Sequence, residues 1–463
     1  MSLVLVYEEV VSGDVRHRVI RSTDNGATWV EGNSFMNPGG GATGKAFVTQ
    51  SGHLILSEQS LDLFSTWYEY AVLTRTTDDG ATWASAVPPS LLSAGEQWEM
   101  HDGVALANNW VLAVGFLTSG HGTFVHQLLI STDGGETFEF VGASLGLGPG
   151  GDERTALSCD VSNGVLVIGA RDFGGDPVIF RSVDDGLTVA EISLPTANFT
   201  PGNGYEITAV RALPSGRFLA GGYAPNDLGG ASTRLWRSDV GGSVWTEVTD
   251  TISDLPADGD GAIRDIAVLS NGRAVIAMDT DTGATSGWFR LSDIDGTTFT
   301  VEGTYDEAVT PRTACSQMTV ADDGSFVACI QITVAQTEVW RGVPSADYSD
   351  IAWSRVHVIN ASGDVTGGCG IASVANVVSE LLAAPEVARR PDFCTSITGS
   401  GCETPVPTDP ALVLSDSVDG PGGFLSVLFL LGLGSVPEVV PAVLTRPTGC
   451  VPLVPAYCVG PDS

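Results

Sequence analysis

The stretch Ser22-Thr23-Asp24-Asn25-Gly26-Ala27-Thr28-Trp29 recurs as Thr76-Thr77-Asp78-Asp79-Gly80-Ala81-Thr82-Trp83. It returns as Ser131-Thr132-Asp133-Gly134-Gly135-Glu136-Thr137-Phe138 and again as Ser182-Val183-Asp184-Asp185-Gly186-Leu187-Thr188-Val189. Two worn copies follow, Ser238-Asp239-Val240-Gly241-Gly242-Ser243-Val244-Trp245 and Ser292-Asp293-Ile294-Asp295-Gly296-Thr297-Thr298-Phe299. In both, the aspartate has moved from the third position to the second and the glycine has stayed. The third positions fall at 24, 78, 133, 184, 240 and 294, with gaps of 54, 55, 51, 56 and 54. Such a period marks a repeat architecture. A seventh unit is expected only as the strands Val339-Trp340-Arg341 and Ile351-Ala352-Trp353, without the motif.

The chemistry of the motif is that of a turn. A β-rich run precedes each copy, as in His17-Arg18-Val19-Ile20-Arg21, and another follows, so the motif closes a hairpin. Asp24, Asp78, Asp133 and Asp184 are suited to accept backbone N–H bonds across the turn. Gly26, Gly80, Gly135 and Gly186 suit a positive φ, and Trp29, Trp83 and Phe138 supply a large apolar face. Alanine at Asp24 or Asp78 is therefore expected to loosen a fold element, not to remove a catalyst.

These motifs resemble the Asp-box, or bacterial neuraminidase repeat, of sialidase-like β-propellers. The resemblance covers roughly residues 1–380 and implies four-stranded antiparallel blades, with the box joining the third and fourth strands on the rim away from the ligand face. It is shared by enzymes, receptors and non-enzymatic propellers, so it speaks for fold and not for activity. The expected fold class is thus all-β, a β-propeller of seven blades with six or eight as alternatives. Strand pairs such as Ile207 to Leu213 with Arg217 to Tyr223 fit each blade. The first blade lacks an innermost strand, and Cys369 to Ala375 is expected to supply it and close the ring.

From about residue 385 the composition changes. Eleven of the 24 prolines lie between Pro391 and Pro461, and Arg446 is the only basic residue there. Residues 385–463 read as a small irregular C-terminal appendage, either a docking element for a larger assembly or a linker-like tail. Its longest apolar run, Phe424 to Val436, is too short for a membrane span. No signal peptide is recognised at the start, Met1 to Glu9. Cys394 with Cys402, and Cys450 with Cys458, suit local disulfides. Cys315 and Cys329 read either as a hairpin bridge or as two buried thiols.

The 463 residues carry 21 basic against 55 acidic side chains, a formal charge of −34. Lys45 is the only lysine. Nucleic acid and anionic membrane are excluded as partners, because no basic cluster exists to displace their counterions. No cofactor or metal is expected: Asp258-Gly259-Asp260 and Asp322-Asp323-Gly324 are not full calcium loops, and no close cysteine pair suits zinc.

Counting back from each first hairpin places Lys45, His101, Asp102, Arg154, Glu206, Arg264, Asp265 and Arg312 near the channel mouth, as candidate ligand-binding residues. For a sialidase the resemblance implies three arginines on a carboxylate, which Arg154, Arg264 and Arg312 would supply. Tyr205 with Glu206 or Glu153 would be the nucleophile pair and Asp102 or Asp152 the acid. Against this, the family's Phe-Arg-Ile-Pro signature is absent, and Tyr205 and Glu206 would face opposite ways on a strand. The expected function is accordingly non-catalytic recognition of glycan or protein, outside a cell or on a virion. A sialidase-type hydrolase is the alternative.

Overall fold

A computed structural model describes residues 3–11, 14–36, 42–59, 73–78, 80–86, 97–118, 124–141, 155–171, 177–195, 206–225, 231–252, 261–279, 288–301, 314–333, 336–360, 370–373, 450–451 and 457–458. The chain divides into two units, Met1–Ala375 and Asn376–Ser463. The first is all-β. Its strands are β1 (Leu3–Val11), β2 (Asp14–Ser22), β3 (Val30–Met36), β4 (Ala42–Val48), β5 (Leu54–Gln59), β6 (Thr74–Thr76) and β7 (Ala84–Ser85). Then come β8 (Gln97–Ala105), β9 (Val111–Thr118), β10 (Phe124–Ser131), β11 (Glu139–Phe140), β12 (Thr155–Ser162), β13 (Val165–Arg171), β14 (Pro177–Ser182) and β15 (Ala190–Ile192). After these follow β16 (Glu206–Ala212), β17 (Phe218–Pro225), β18 (Ala231–Ser238), β19 (Trp245–Glu247), β20 (Ala262–Val268), β21 (Arg273–Asp279), β22 (Trp288–Ile294) and β23 (Phe299–Val301). The unit ends with β24 (Ala314–Val320), β25 (Phe326–Thr333), β26 (Gln336–Pro344), β27 (Ile351–Asn360) and β28 (Gly370–Ser373).

The strands form antiparallel ladders in sequence order. Four-stranded sheets run β12–β15, β16–β19, β20–β23 and β24–β27. Ladders β4–β7 and β8–β11 are fused into one larger sheet by the pair Gln59 and Glu99. The remaining sheet has the order β28-β1-β2-β3, so the end of the unit supplies its innermost strand. The innermost strands β28, β4, β8, β12, β16, β20 and β24 pack neighbour to neighbour and return to β28.

The core lies between ladders. One apolar cluster joins Leu3, Leu5 and Ile20 to Val327, Cys329 and Val339, across the seam where the chain closes. Another joins Val167 and Ile179 to Phe218 and Trp236 of the following ladder. Each ladder thus buries both faces against its neighbours, and burial of these near-continuous apolar runs is what drives the ring shut.

The motif turns are built alike. Ser22 Oγ donates to Asp24 Oδ1 at 2.7 Å and accepts the Gly26 N–H at 2.8 Å. Asp24 also accepts from the Thr28 N–H and from Thr28 Oγ1, and the Trp29 indole N–H donates to the Gly26 carbonyl. The same Ser/Thr, Asp and Thr bonds recur around Asp78, Asp133 and Asp184. Glycine is needed twice over at Gly135. Its φ is +86°, and a Cβ there would stand 2.4 Å from Ile55 Cδ1 of the preceding ladder.

In the worn copies the shifted aspartate still works. Asp239 Oδ1 accepts from the Ser243 and Val244 N–H groups, while Ser238 Oγ turns to the Phe218 N–H. The seventh unit corrects the sequence expectation. Its turn is Ser345-Ala346-Asp347-Tyr348-Ser349, where Ser345 Oγ donates to Asp347 Oδ1 at 2.8 Å and accepts the Ser349 N–H. Serine replaces the glycine and Tyr348 takes φ of 58°, which hid a motif whose Ser-x-Asp core was legible.

A second device ties ladder to ladder. Arg181 Nε donates to the Gly241 carbonyl, Arg237 Nε to the Asp295 carbonyl, and Arg341 Nε to the Asn25 carbonyl. Each arginine precedes its own turn by a residue or more on the third strand and reaches the turn of the next ladder. The Arg341 bond spans the closing seam.

Exposed as they are, the turn aspartates titrate low. The Thr28 hydroxyl and N–H bonds hold Asp24 at about 2, the Thr82 bonds hold Asp78 at about 2, and the Ser345 and Ser349 hydroxyls hold Asp347 at about 2. Because these values lie below the ordinary 3.8, their stabilisation is fully present above about pH 4 and is lost as pH falls toward 2. The urea midpoint is therefore expected to hold steady down to about pH 4 and then to drop. An Asp24→Asn/Asp78→Asn pair should start lower at pH 7 and show a shallower drop. An unchanged acid slope would remove the turns as its source.

Cys315 opposes Ile330, while Cys329 opposes Gln317. Both sequence readings of this pair are corrected: Cys315 takes no part in a disulfide and is out of register with Cys329 by one bulge, while Cys329 is itself disulfide-bonded and so is not a thiol. In the second unit, β29 (Cys450–Val451) pairs antiparallel with β30 (Tyr457–Cys458), placing Cys450 opposite Cys458. Cys394, Cys402 and the Phe424–Val436 run lie outside the described residues. Among the described residues, no helix is long and apolar enough to cross a membrane.

Candidate functional site

Six of the innermost strands share one irregularity. Each carries an extra residue, between Thr43 and Ala46, Met100 and Asp102, Ala156 and Ser158, Ile207 and Ala209, Ile263 and Asp265, and Cys315 and Gln317. A bulge re-aims the side chain beside it. Here it turns polar residues from strand to strand around the ring. Ser158 Oγ donates to Asp102 Oδ2 at 2.7 Å and accepts the Val210 N–H. Thr208 Oγ1 donates to the Ile263 carbonyl, and Asp265 Oδ2 accepts the Met318 N–H at 2.6 Å. The Gln317 amide exchanges two bonds with the Ala46 backbone, at 3.0 and 2.9 Å.

Charge gathers at the middle of this ring. Lys45 Nζ lies 3.5 Å from Asp102 Oδ2 and 3.9 Å from Asp265 Oδ1, and it donates to the Thr208 carbonyl. Arg211 bridges the same carboxylates, at 3.6 Å to Asp102 and 3.0 Å to Asp265. Two cations and two carboxylates therefore form a closed square. Burial alone pushes the Asp102 carboxyl up, but Lys45, Arg211, the Ser158 hydroxyl and the Gly103 N–H outweigh it and hold the group below the ordinary value. Burial works against the Arg211 charge, and Asp265, Asp102 and Asp160 more than restore it. Cys159, beside them, is held protonated by burial and by Asp102 and Asp160, so it is no nucleophile.

The structure thus brings Lys45, Asp102 and Asp265 together, with Arg211 as the member the sequence reading missed. Arg211 carried a weak signal: it lies three residues past its bulge, whereas Asp102 and Asp265 lie one past theirs, and only the coordinates reveal the bulges. Asp102 and Asp265 are buried and fully engaged. In this arrangement Asp102 is engaged by Lys45, Arg211 and Ser158, and Asp265 by Lys45, Arg211 and the Met318 N–H. Lys45 and Arg211 are less deeply buried, with side-chain exposures of 12% and 19%.

Near the start of β16 a second group assembles. Glu206 pairs across the ladder with Tyr223, and the Arg264 guanidinium stands 5.8 Å from the centre of the Tyr223 ring. Tyr223 was not anticipated; it became visible only through the register. His101 is half-buried at its bulge, its carbonyl near Ser57 Oγ at 3.5 Å. Arg154, Arg312, Tyr205, Asp152 and Glu153 lie outside the described residues. Among the described residues, no group of three or more histidine, cysteine or carboxylate side chains could hold a metal.

Ladders of this order, closed by the chain's last inner strand, define a β-propeller. The fold is similar to that of an ancestral GH74 enzyme, with a TM-score of 0.51 at 13% identity over 76% of this chain and 46% of that one. YCF48 from Cyanidioschyzon merolae is similar at a TM-score of 0.43 and 12% identity, over 69% of this chain and 86% of that one. Trypanosoma rangeli sialidase gives 0.43 and 14%, over 80% and 61%. No protein-family model and no curated protein matches the chain. At these identities the likeness bears on fold alone.

Proposed function

We propose that this chain is a recognition propeller of seven Asp-box blades, displayed outside a cell or on a virion surface, and that it binds glycan or protein without turning it over. The observation that supports this reading is the closed square of Lys45, Asp102, Arg211 and Asp265. Polar side chains that a hydrolase would need at the channel are spent on tying inner strands together, which yields a rigid ligand platform. Its binding face would be the side where Glu206, Tyr223 and Arg264 meet. A single lysine, itself engaged, suits a durable exposed module.

A sialidase-type hydrolase is the second reading, and one observation favours it: Glu206, Tyr223 and Arg264 place a carboxylate, a phenol and a guanidinium side by side. Two measurements separate the readings. The recognition reading expects glycan-array or peptide-array signal that Arg264→Ala weakens by roughly tenfold or more, at ~1.4 kcal/mol or above. It also expects no release of fluorophore from a fluorogenic sialoside. Turnover abolished by Tyr223→Phe would overturn it and establish the hydrolase.

A further inference from the structure

Of the eight cysteines, Cys159 and Cys315 take no part in a disulfide, while Cys329 is disulfide-bonded. Its partner therefore comes from Cys369, Cys394, Cys402, Cys450 and Cys458. Cys329 has no exposed surface and sits in the apolar cluster that holds Leu3, Leu5 and Ile20 against the last ladder. A disulfide needs Cα atoms about 4.4–6.8 Å apart, so the partner belongs to chain packed against β25. Strands β24, β26 and β28 pack on β25. β24 holds only Cys315, β26 holds no cysteine, and β28 begins at Gly370, the residue after Cys369. Cys369 lies outside the described residues; its assignment rests on Gly370, which pairs with Val6 of β1. The count agrees. With Cys369 taken, four cysteines remain beyond residue 390, an even number, and Cys450 already stands opposite Cys458.

We infer that Cys329 is joined to Cys369, and that this bond fastens β28 across the seam where the ring closes. β28 is four residues long, whereas the other inner strands run seven to nine. Its whole ladder is Gly370 to Ser373 against Leu3 to Val6. A covalent tie beside so short a ladder leaves little chain entropy to be gained when the strand opens. Forming the bond takes two electrons and two protons from the two thiols, accepted by a small-molecule or protein disulfide that leaves as two thiols. A dithiol reverses the step. The oxidised chain is thus closed at the seam, and the reduced chain opens there. Opening stays local, because Gln317 still bonds the Ala46 backbone beyond β28, and Arg341 the Asn25 carbonyl across the seam. The device is independent of the proposed ligand face, so its failure leaves that reading untouched.

The test maps the bond first. Free thiols of the full chain are alkylated, and trypsin is added without reductant. Cleavage after arginine, except before proline, puts Cys315 and Cys329 in 313–341, Cys369 in 356–389 and the last four cysteines in 390–463. The expected product is 313–341 joined to 356–389, which a dithiol separates. Linkage of 313–341 to 390–463 would overturn the proposal, as would a loop within 313–341. Hydrogen exchange then reads the seam. In Cys369→Ser, and in the unaltered chain reduced by a dithiol, the β1 amides facing β28 should exchange at least ~10-fold faster than in the oxidised chain. Those of β16 should not change, and Cys315→Ala should leave both strands as they were. Unchanged exchange in β1, with the bond mapped as expected, would overturn the fastening role. An equal rise over all inner strands would do the same, since the bond would then support the whole ring and not the seam.

Discussion

Replacing Asp265 with alanine is expected to lower the unfolding free energy by about 3–5 kcal/mol, the usual cost of removing one partner from a buried ion pair. Asp265 has no exposed surface; it pairs with Arg211 at 3.0 Å, faces Lys45 at 3.9 Å and accepts the Met318 N–H of the next inner strand. Its loss leaves two cations and a backbone donor facing low-dielectric protein with one carboxylate fewer. A surface pair gives the contrast. Arg75 and Glu136 lie 3.3 Å apart with Glu136 mostly exposed, so Glu136→Ala should change stability by no more than about 1 kcal/mol. Urea unfolding at pH 7 with an unchanged slope checks both. Arg211→Met should be less than additive with Asp265→Ala, since each removes the same contact. A loss below about 1 kcal/mol for Asp265→Ala would mean that channel water solvates the square well enough to do without the pairing.

The second large effect comes from a missing side chain. Glycine to alanine within a strand ordinarily stabilises a protein slightly, by about 0.4–1 kcal/mol, through the unfolded state. At Gly222 the sign should reverse. A Cβ there would lie 1.8 Å from the Glu206 carbonyl oxygen and 2.8 Å from its carbon, atoms of the neighbouring backbone that cannot swing aside. Gly222→Ala must therefore spread β16 from β17 beside the bulge, at about 3 kcal/mol or more once overpacking and lost ladder bonds are combined. Glu206 would move with its strand, so ligand binding on the proposed face should fall together with thermal stability. Gly164→Ala is the control, with φ +73° and no atom within 4 Å of the new methyl, so only the backbone cost of roughly 1–2 kcal/mol applies. If Gly222→Ala proves no worse than Gly164→Ala, the close approach of the two strands is not what holds this position as glycine.

Much of the fold was legible because its information is local. A Ser-x-Asp-x-Gly-x-Thr-Trp turn satisfies its own donors and acceptors within eight residues, so Asp24, Asp78, Asp133 and Asp184 could be assigned their bonds from spacing alone. The copy at Asp347 escaped because serine stands where the glycine was sought, although the hydroxyl and carboxylate that make the turn were both in place. The arginines before the turns were not singled out in the sequence. Their partners could not be read from local spacing, since Arg341 and Asn25 are separated by almost the whole unit.

What the sequence by itself determined was the repeat: its period, the turn at each copy, the strand pairs around it and the late inner strand that closes the ring. Those features follow from short-range chemistry and from apolar periodicity, which are written residue by residue. Only the tertiary structure decided which polar groups meet. The bulges shift the facing of six inner strands by one residue, a change that alternation cannot anticipate, and they bring Asp102 and Asp265 of two ladders between Arg211 of a third and Lys45 of a fourth. A site assembled across a ring depends on how each strand is offset from the next, and that offset is fixed by packing between ladders, not by any one of them.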